Sequence, residues 1–82
     1  MTEAEPRVRV SLGAVRNRVD RALRLENDRV RLKRSRGAKC VQDLGEWFVL
    51  EIYRNFVVQH HIDLEAYARE LGVLAPYEEM ER

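Results

Sequence analysis

The chain has 82 residues, a length at which a single domain has only a marginal hydrophobic core unless a metal, disulfides or a partner adds to it. Its one cysteine, Cys40, excludes an internal disulfide framework and fits a reducing compartment. No apolar run approaches the roughly 18 residues that a membrane span requires, so we expect a cytoplasmic protein with no membrane partner.

The formal net charge of +1 conceals an asymmetry between the two halves of the chain. Residues 1–39 hold twelve Lys and Arg against five Asp and Glu, a balance of +7. Residues 40–82 hold three against nine, a balance of −6. The chain is therefore polarised in charge and is not basic as a whole.

The first part of the chain predicts an arm followed by a helix. Residues 1–10 carry a proline, several charges and no sustained hydrophobic period, so we predict a flexible N-terminal arm. Within it, Arg7 to Val10 has the composition to join a sheet as a short edge strand. Ser11 fits the N-cap of an amphipathic helix over about 12–25, in which apolar residues recur at helical spacing.

A strictly alternating segment from Arg29 to Lys33 predicts the next element, a strand. The alternative, in which the first helix continues through this segment to about Arg34, stays open. A basic loop over 34–39 follows, and Val41 is expected to open another short strand.

The segment from 29 to 39 is a candidate nucleic-acid contact, because its positive side chains can neutralise several phosphates of DNA or RNA. The six residues concerned are Arg29, Arg31, Lys33, Arg34, Arg36 and Lys39. In the alternative interpretation these side chains protect an edge strand or pair with the acidic second half of the chain. The segment lacks the interleaved aromatic residues that stack on single-stranded bases.

The most apolar stretch of the chain predicts a β-hairpin over 47–62. With a two-residue turn at Arg54-Asn55, Asn55 takes a positive φ and Tyr53 faces Phe56, whereas a longer loop with a bulge is the alternative. Both faces of this hairpin are apolar, although a sheet with one solvated side should alternate apolar and polar residues. Each face must therefore be covered by something.

The last part of the chain predicts a second helix and a tail. Asp63 fits the N-cap of an amphipathic helix over about 64–71, with Gly72 at the position after its end. A proline then stops the helix, so residues 76–82 are expected to form an acidic C-terminal tail. A single α+β domain thus spans 11–75.

Together these elements predict a small antiparallel β-meander of three to four strands, packed on one face by the two amphipathic helices. Because the helices form one layer, the opposite face is left for a second copy or a larger protein. We therefore expect a small accessory or regulatory protein that acts through a protein–protein interface, as a homodimer or on a larger partner. The predicted interface residues are Trp47, Val49, Tyr53, Phe56, Val58 and Ile62. With one helix on each face instead, the chain is a monomer that displays no such patch.

The sequence lacks the usual signatures of catalysis and metal binding. His60 and His61 are neighbours that point to opposite faces of a strand, and no Cys or His residues stand at the spacing of a zinc site. There is no phosphate-binding Gly-rich loop and no serine nucleophile motif. We therefore expect no catalytic residues, no cofactor and no metal, and a binding protein in place of an enzyme. Nucleic-acid binding through 29–39 is the alternative function.

Overall fold

The structure is a computed structural model that describes residues 7–81. In chain order its elements are β1 (Val8–Val10), α1 (Leu12–Glu26), β2 (Val30–Arg34), α2 (Ala38–Leu44), β3 (Trp47–Glu51), β4 (Phe56–Gln59), α3 (Leu64–Glu70) and β5 (Glu78–Met80). Strands β2, β3 and β4 form an antiparallel sheet in that order, and β1 and β5 form a separate parallel pair. The predicted α+β class and the three-stranded meander are confirmed.

Both predicted helices begin at the predicted N-caps. The Ser11 hydroxyl accepts a hydrogen bond from the Ala14 N–H at 3.1 Å, and the Asp63 carboxylate accepts one from the Ala66 N–H at 3.3 Å. Helix α1 packs on the sheet, and α3 packs beside α1. The buried side chains that the two helices contribute to the core are Val15, Val19, Leu23, Leu64 and Ala68. Burial of each large apolar side chain stabilises the fold by about 1.5–3 kcal/mol.

The sheet presents one face to the helices. Leu32 of β2 and Val49 of β3 are direct cross-strand partners on this face, and both belong to the core. The opposite face carries Phe48 and Leu50 of β3 and Val57 of β4, which are half-buried and lie outside the core. The expectation that the helices cover only one face of the sheet therefore agrees with the packing.

The predicted exposure of Trp47 and Val49 is wrong. Their side chains are 4% and 2% exposed, because the face of β3 on which they lie is the one that the helices cover. The two faces of this strand are equally apolar, so the hydrophobic pattern carries no information about which face the helices choose. These two residues are part of the core and do not lie on a displayed surface.

The ends of the described chain also differ from the prediction. Residues 8–10, expected in a flexible arm with a short edge strand as the alternative, form a strand that pairs in parallel with residues 78–80, expected in an acidic tail. Val10 and Met80 enter the core, so the domain extends beyond the predicted boundaries on both sides. Residues 1–6 of the predicted arm lie outside the described residues. Local composition indicated the strand at 8–10 as an alternative, but it carries no information about a partner strand so distant in sequence.

The connection between β2 and β3 is a short helix, α2, so the predicted strand at Val41 is wrong. Gly37 and Gly45 flank the helix with φ angles of 85° and 79°, which glycine adopts without steric cost. The Ser35 hydroxyl donates a hydrogen bond to the Gly45 carbonyl at 2.5 Å and closes the connection. Strand β2 itself occupies the segment where the alternating pattern predicted a strand.

Candidate functional site

The hairpin is connected by a four-residue loop, and the predicted two-residue turn is wrong. Glu51, instead of Tyr53, faces Phe56 across the hairpin. The buried Glu51 carboxylate accepts the Arg54 N–H at 2.6 Å, and Asn55 takes the predicted positive φ, at 60°. The carboxylate thus satisfies a backbone donor of the loop. The longer-loop alternative is the one that the chain adopts.

Strand β4 contains a β-bulge at Val58. Leu50 pairs with Val57 whereas Val49 pairs with Gln59, so Val58 is an extra residue in β4. Before the bulge, Val57 lies on the same face of the sheet as Leu50, as the sequence predicted. The observed pairing is shifted by two residues from the predicted one, and a shift of two leaves each side chain on the same face. Beyond the bulge, Gln59 joins the opposite face.

The backbone of β4 is open along its outer side. The Ile52 N–H bonds to the Arg29 carbonyl, so the backbone groups of Ile52 point toward β2. Successive residues of a strand point their backbone groups to alternate sides, so those of Glu51 point toward β4. Glu51 and Phe56 are therefore a hydrogen-bonded pair, and the next pair, Leu50 and Val57, is not. The N–H and C=O groups of Val57 consequently point away from β3. Within residues 7–81, no side chain bonds to the backbone of β4.

The side chains at this strand are also exposed. Phe56 and Val58 are each 48% exposed, and Tyr53 in the preceding loop is 68% exposed. The six predicted interface residues are thus divided: Trp47 and Val49 are buried, Ile62 packs partly against the core, and Tyr53, Phe56 and Val58 are displayed. We define the β4 edge as Tyr53, Phe56, Val57 and Val58.

A groove lies between β4 and α3, beside the β4 edge. It is a shallow groove, open to solvent, with a volume of about 500 Å³, and Val58, Ile62 and Tyr67 form part of its lining. Asp63 and Glu70 give the groove negative charge. Burial raises the pKa of the Tyr67 hydroxyl, and the nearby Glu70 carboxylate raises it further, so Tyr67 is uncharged at neutral pH.

The outer side of β2, by contrast, is closed by hydrogen bonds from α1, from the preceding turn and from β2's own Arg31. The Asp20 carboxylate of α1 accepts the Leu32 N–H at 3.0 Å. The Val30 N–H bonds to the Asn27 carbonyl at 3.2 Å, and the Arg31 guanidinium donates to the Val30 carbonyl at 2.8 Å. These three bonds satisfy backbone groups that an edge strand otherwise offers to another chain.

Two of the six predicted nucleic-acid contacts are paired with carboxylates. Arg34 forms an ion pair with Glu46 at 2.5 Å, and its guanidinium lies 5.1 Å from the centre of the Trp47 ring. Lys39 pairs with Asp43 one helical turn away, at 3.6 Å. These exposed pairs follow the alternative interpretation, in which the basic segment pairs with acidic residues of the second half.

The other four basic residues are divided among three settings. Arg29 lies over the Tyr53 ring at 5.0 Å. Arg31 donates to backbone carbonyls at the start of β2. Lys33 and Arg36 are exposed and form no ion pair within residues 7–81. The segment therefore offers fewer unpaired cations than its sequence indicates.

The remaining polar residues form no recognised chemical site in the described chain. No group of three or more His, Cys, Asp or Glu in residues 7–81 is arranged to hold a metal ion. The rings of His60 and His61 meet edge to face, with their centres 5.0 Å apart, and Cys40 is a half-buried free thiol. Among the same residues, no helix has the length and apolar character that a membrane crossing requires.

Sequence reasoning missed two charged residues beside the β4 edge. Arg54 lies in the hairpin loop and Glu70 lies at the groove, and neither side chain forms an ion pair within the described part of the chain. A loop arginine and a helix-surface glutamate are ordinary in sequence. The hairpin loop places Arg54 before β4, and the packing of α3 places Glu70 at the groove beside the residues that follow β4.

No family model, curated protein or solved structure matches this chain. The fold and the site define its class: a small α+β domain with one covered sheet face and one open, uncharged strand edge.

Proposed function

We propose that this chain is a small, non-catalytic accessory or regulatory module that joins another protein through the β4 edge, and that this protein is a second copy of itself. The observation that carries the proposal is that β4 has exposed apolar side chains and an outer backbone with no bonding partner in the described chain. Exposed edge strands without charges pair readily with other chains. A cytoplasmic setting belongs to the same proposal and is supported by the single free thiol.

The composition of the β4 edge supports an interface. Tyr53 and Phe56 are of the aromatic types that are enriched in protein interfaces, and truncation of a central one typically costs about 2 kcal/mol or more. A stable interface buries about 800 Å² on each partner, so the edge must act together with the groove beside α3. Both surfaces adjoin Val58.

Light scattering on the purified protein tests this proposal. At micromolar concentration we expect a mass above the 9.7 kDa of one chain. Val58→Lys should return the protein to the monomer, because it buries a charge in the interface. The matched control is Val41→Lys in α2, where the same residue type is 43% exposed and lies away from the β4 edge. A monomeric parent protein, or equal behaviour of the two variants, would contradict the proposal.

Nucleic-acid binding is the second candidate function. It is supported by the direct pairing of Lys33 with Phe48 on the sheet face outside the core, since single-strand binders combine cations with aromatic rings. The exposed cation of Arg36, in the loop that follows β2, adds to this surface. Such binding weakens steeply as the salt concentration rises.

Fluorescence anisotropy with a labelled single-stranded oligonucleotide tests this second candidate. We expect binding at low salt that is lost in a double variant with Lys33→Ala and Arg36→Ala. A double variant with Arg9→Ala and Arg21→Ala removes the same charge from exposed positions of β1 and α1 and serves as the control. Anisotropy that stays unchanged at low salt would exclude this function.

A further inference from the structure

We propose that the second copy pairs antiparallel with β4 about a two-fold axis at Val57, so that the Arg54 loop of each copy enters the acidic groove of the other. This inference rests on the proposed function and specifies its partner and its geometry.

The backbone of β4 fixes the position of the axis. Val57 is the residue whose N–H and C=O groups point away from β3, as the pairing of Leu50 with Val57 requires. Two antiparallel copies centred on Val57 exchange one N–H···O=C bond in each direction. The two three-stranded sheets then become one continuous sheet, and the contact is isologous, as in most homodimers.

The side chains of β4 fit this arrangement. About an axis at Val57, Phe56 of one copy lies opposite Val58 of the other, which places an aromatic ring against a β-branched side chain. Both side chains are half-exposed in the single chain and are covered by the pairing. The segment from Asn55 to Ile62 contains no Asp, Glu, Lys or Arg, so two copies of it approach each other without repulsion between such charges.

Charge complementarity selects a second copy as the partner. In an antiparallel pairing about Val57, the loop that precedes β4 in one copy lies beside the segment that follows β4 in the other, and His60 of that segment lines the groove between β4 and α3. Glu70 lines the same groove, and its carboxylate forms no ion pair within residues 7–81. Arg54 is exposed and likewise forms no ion pair in the described chain. Each copy therefore supplies one unpaired cation, Arg54, and one unpaired carboxylate, Glu70. The two-fold axis places Arg54 of each copy near Glu70 of the other.

The size of the contact makes the dimer depend on these charges. A pairing of three strand residues is far smaller than the roughly 800 Å² per partner of a stable interface. The loop in the groove supplies the additional area. The β2 edge does not offer the second copy an equivalent place, because Asp20 and Arg31 occupy its backbone groups and Arg31 and Lys33 add positive charge.

A charge-exchange experiment on the full chain tests the inference by analytical ultracentrifugation. Arg54→Glu and Glu70→Arg should each raise the dimer dissociation constant at least tenfold, because each places like charges together in both contacts. An equimolar mixture of the two variants should dimerise again, since each contact of the mixed dimer joins one positive and one negative side chain. A contact within one chain would not be restored by mixing.

Arg36→Glu is the matched control, because it reverses an exposed, unpaired arginine in the loop after β2, and it should leave the dissociation constant unchanged. A parent protein that is monomeric at all concentrations overturns both the homodimer and this geometry. If the parent protein is a dimer whose dissociation constant does not change with Arg54→Glu, or if the mixture of variants stays monomeric, this geometry alone is overturned. The neutral variants Arg54→Gln and Glu70→Gln, with a smaller expected loss, keep the test decisive if a charge reversal unfolds the chain.

Discussion

The two outer strands of the sheet, β2 and β4, differ in how their backbones are satisfied. The outward groups of β2 are bonded by Asp20, by Arg31 and by the turn that precedes the strand. The outward groups of Val57 in β4 have no such partner in the described chain. The bonds at β2 come from a side chain of α1, from an arginine of β2 itself and from the backbone of the preceding turn, and within residues 7–81 β4 has no equivalent of any of them.

The two outer strands also differ in charge. Strand β2 alternates apolar residues with Arg and Lys, whereas β4 contains no charged residue. The bulge at Val58 limits the length of β4 over which another chain can pair in regular register. A short open edge of this kind favours a specific partner over indiscriminate aggregation.

The largest expected effect comes from Gly45→Ala, which disturbs the contact between Gly45, just before β3, and His61, just after β4. A Cβ at this position would lie 2.6 Å from the His61 Cα, and the φ of 79° adds strain. We expect a loss of roughly 3 kcal/mol in the free energy of unfolding, measured by urea denaturation. Gly13→Ala in α1, where the added Cβ would meet nothing within 4 Å beyond the neighbouring backbone of its own helix, should instead stabilise the protein by up to about 1 kcal/mol. Equal effects of the two substitutions would show that the close contact between Gly45 and His61 is not the cause of the loss.

Asp20→Ala tests the closure of the β2 edge. It leaves the Leu32 N–H without its acceptor, and we expect a loss of about 1–3 kcal/mol in the free energy of unfolding. Asp20→Asn keeps an oxygen acceptor and should cost less. The Asp20–Arg24 ion pair is lost as well, so Arg24→Ala is the control, with an expected cost of at most about 1 kcal/mol. If Arg24→Ala costs as much as Asp20→Ala, the carboxylate does not act through Leu32.

Asn55→Ala tests the loop that presents the β4 edge. Asn55 has a φ of 60°, which costs a non-glycine, non-Asx residue about 1–2 kcal/mol. We therefore expect Asn55→Ala to lower the free energy of unfolding by about 1 kcal/mol and Asn55→Gly to change it less. Thermal unfolding followed by circular dichroism measures both variants. A larger cost for glycine than for alanine would show that the backbone conformation is not the cause.

The smallest expected effect concerns β5, where the ionised Glu78 carboxylate bonds to Arg18 of α1. The Ala75 N–H and then Arg18 bond to the Glu78 carboxylate and hold its pKa below the ordinary value of 4.5. Because the folded-state pKa is lowered, this contribution is present above the ordinary pKa and is lost as the pH falls through the folded-state value. Glu78→Gln should therefore flatten the decline of stability with acid. An unchanged slope below pH 4.5 would contradict this role.

The elements with local signals were predictable from the sequence. Ser11 and Asp63 marked the starts of α1 and α3, and the alternation of 29–33 marked β2. The hairpin and the positive φ of Asn55 followed from its composition. In each case, neighbouring residues alone determine the structure.

The elements that depend on distant contacts were not predictable. The pairing of Val10 with Met80 joins the two ends of the described chain. The direction in which Trp47 points depends on where α1 lies, because β3 is apolar on both faces. The four-residue loop depends on the Glu51 carboxylate, which a turn rule based on residue type does not include. The closure of β2 by Asp20 is likewise a contact between elements.

Amide hydrogen exchange at two protein concentrations tests the central comparison most directly. The Leu32 N–H, already bonded to Asp20, should be protected to the same extent at low and high concentration. Protection of the Val57 N–H should rise with concentration, because a second copy pairs with it. Exchange at Val57 that stays fast at every concentration, while the protein remains folded, would contradict the assignment of the β4 edge as the binding surface.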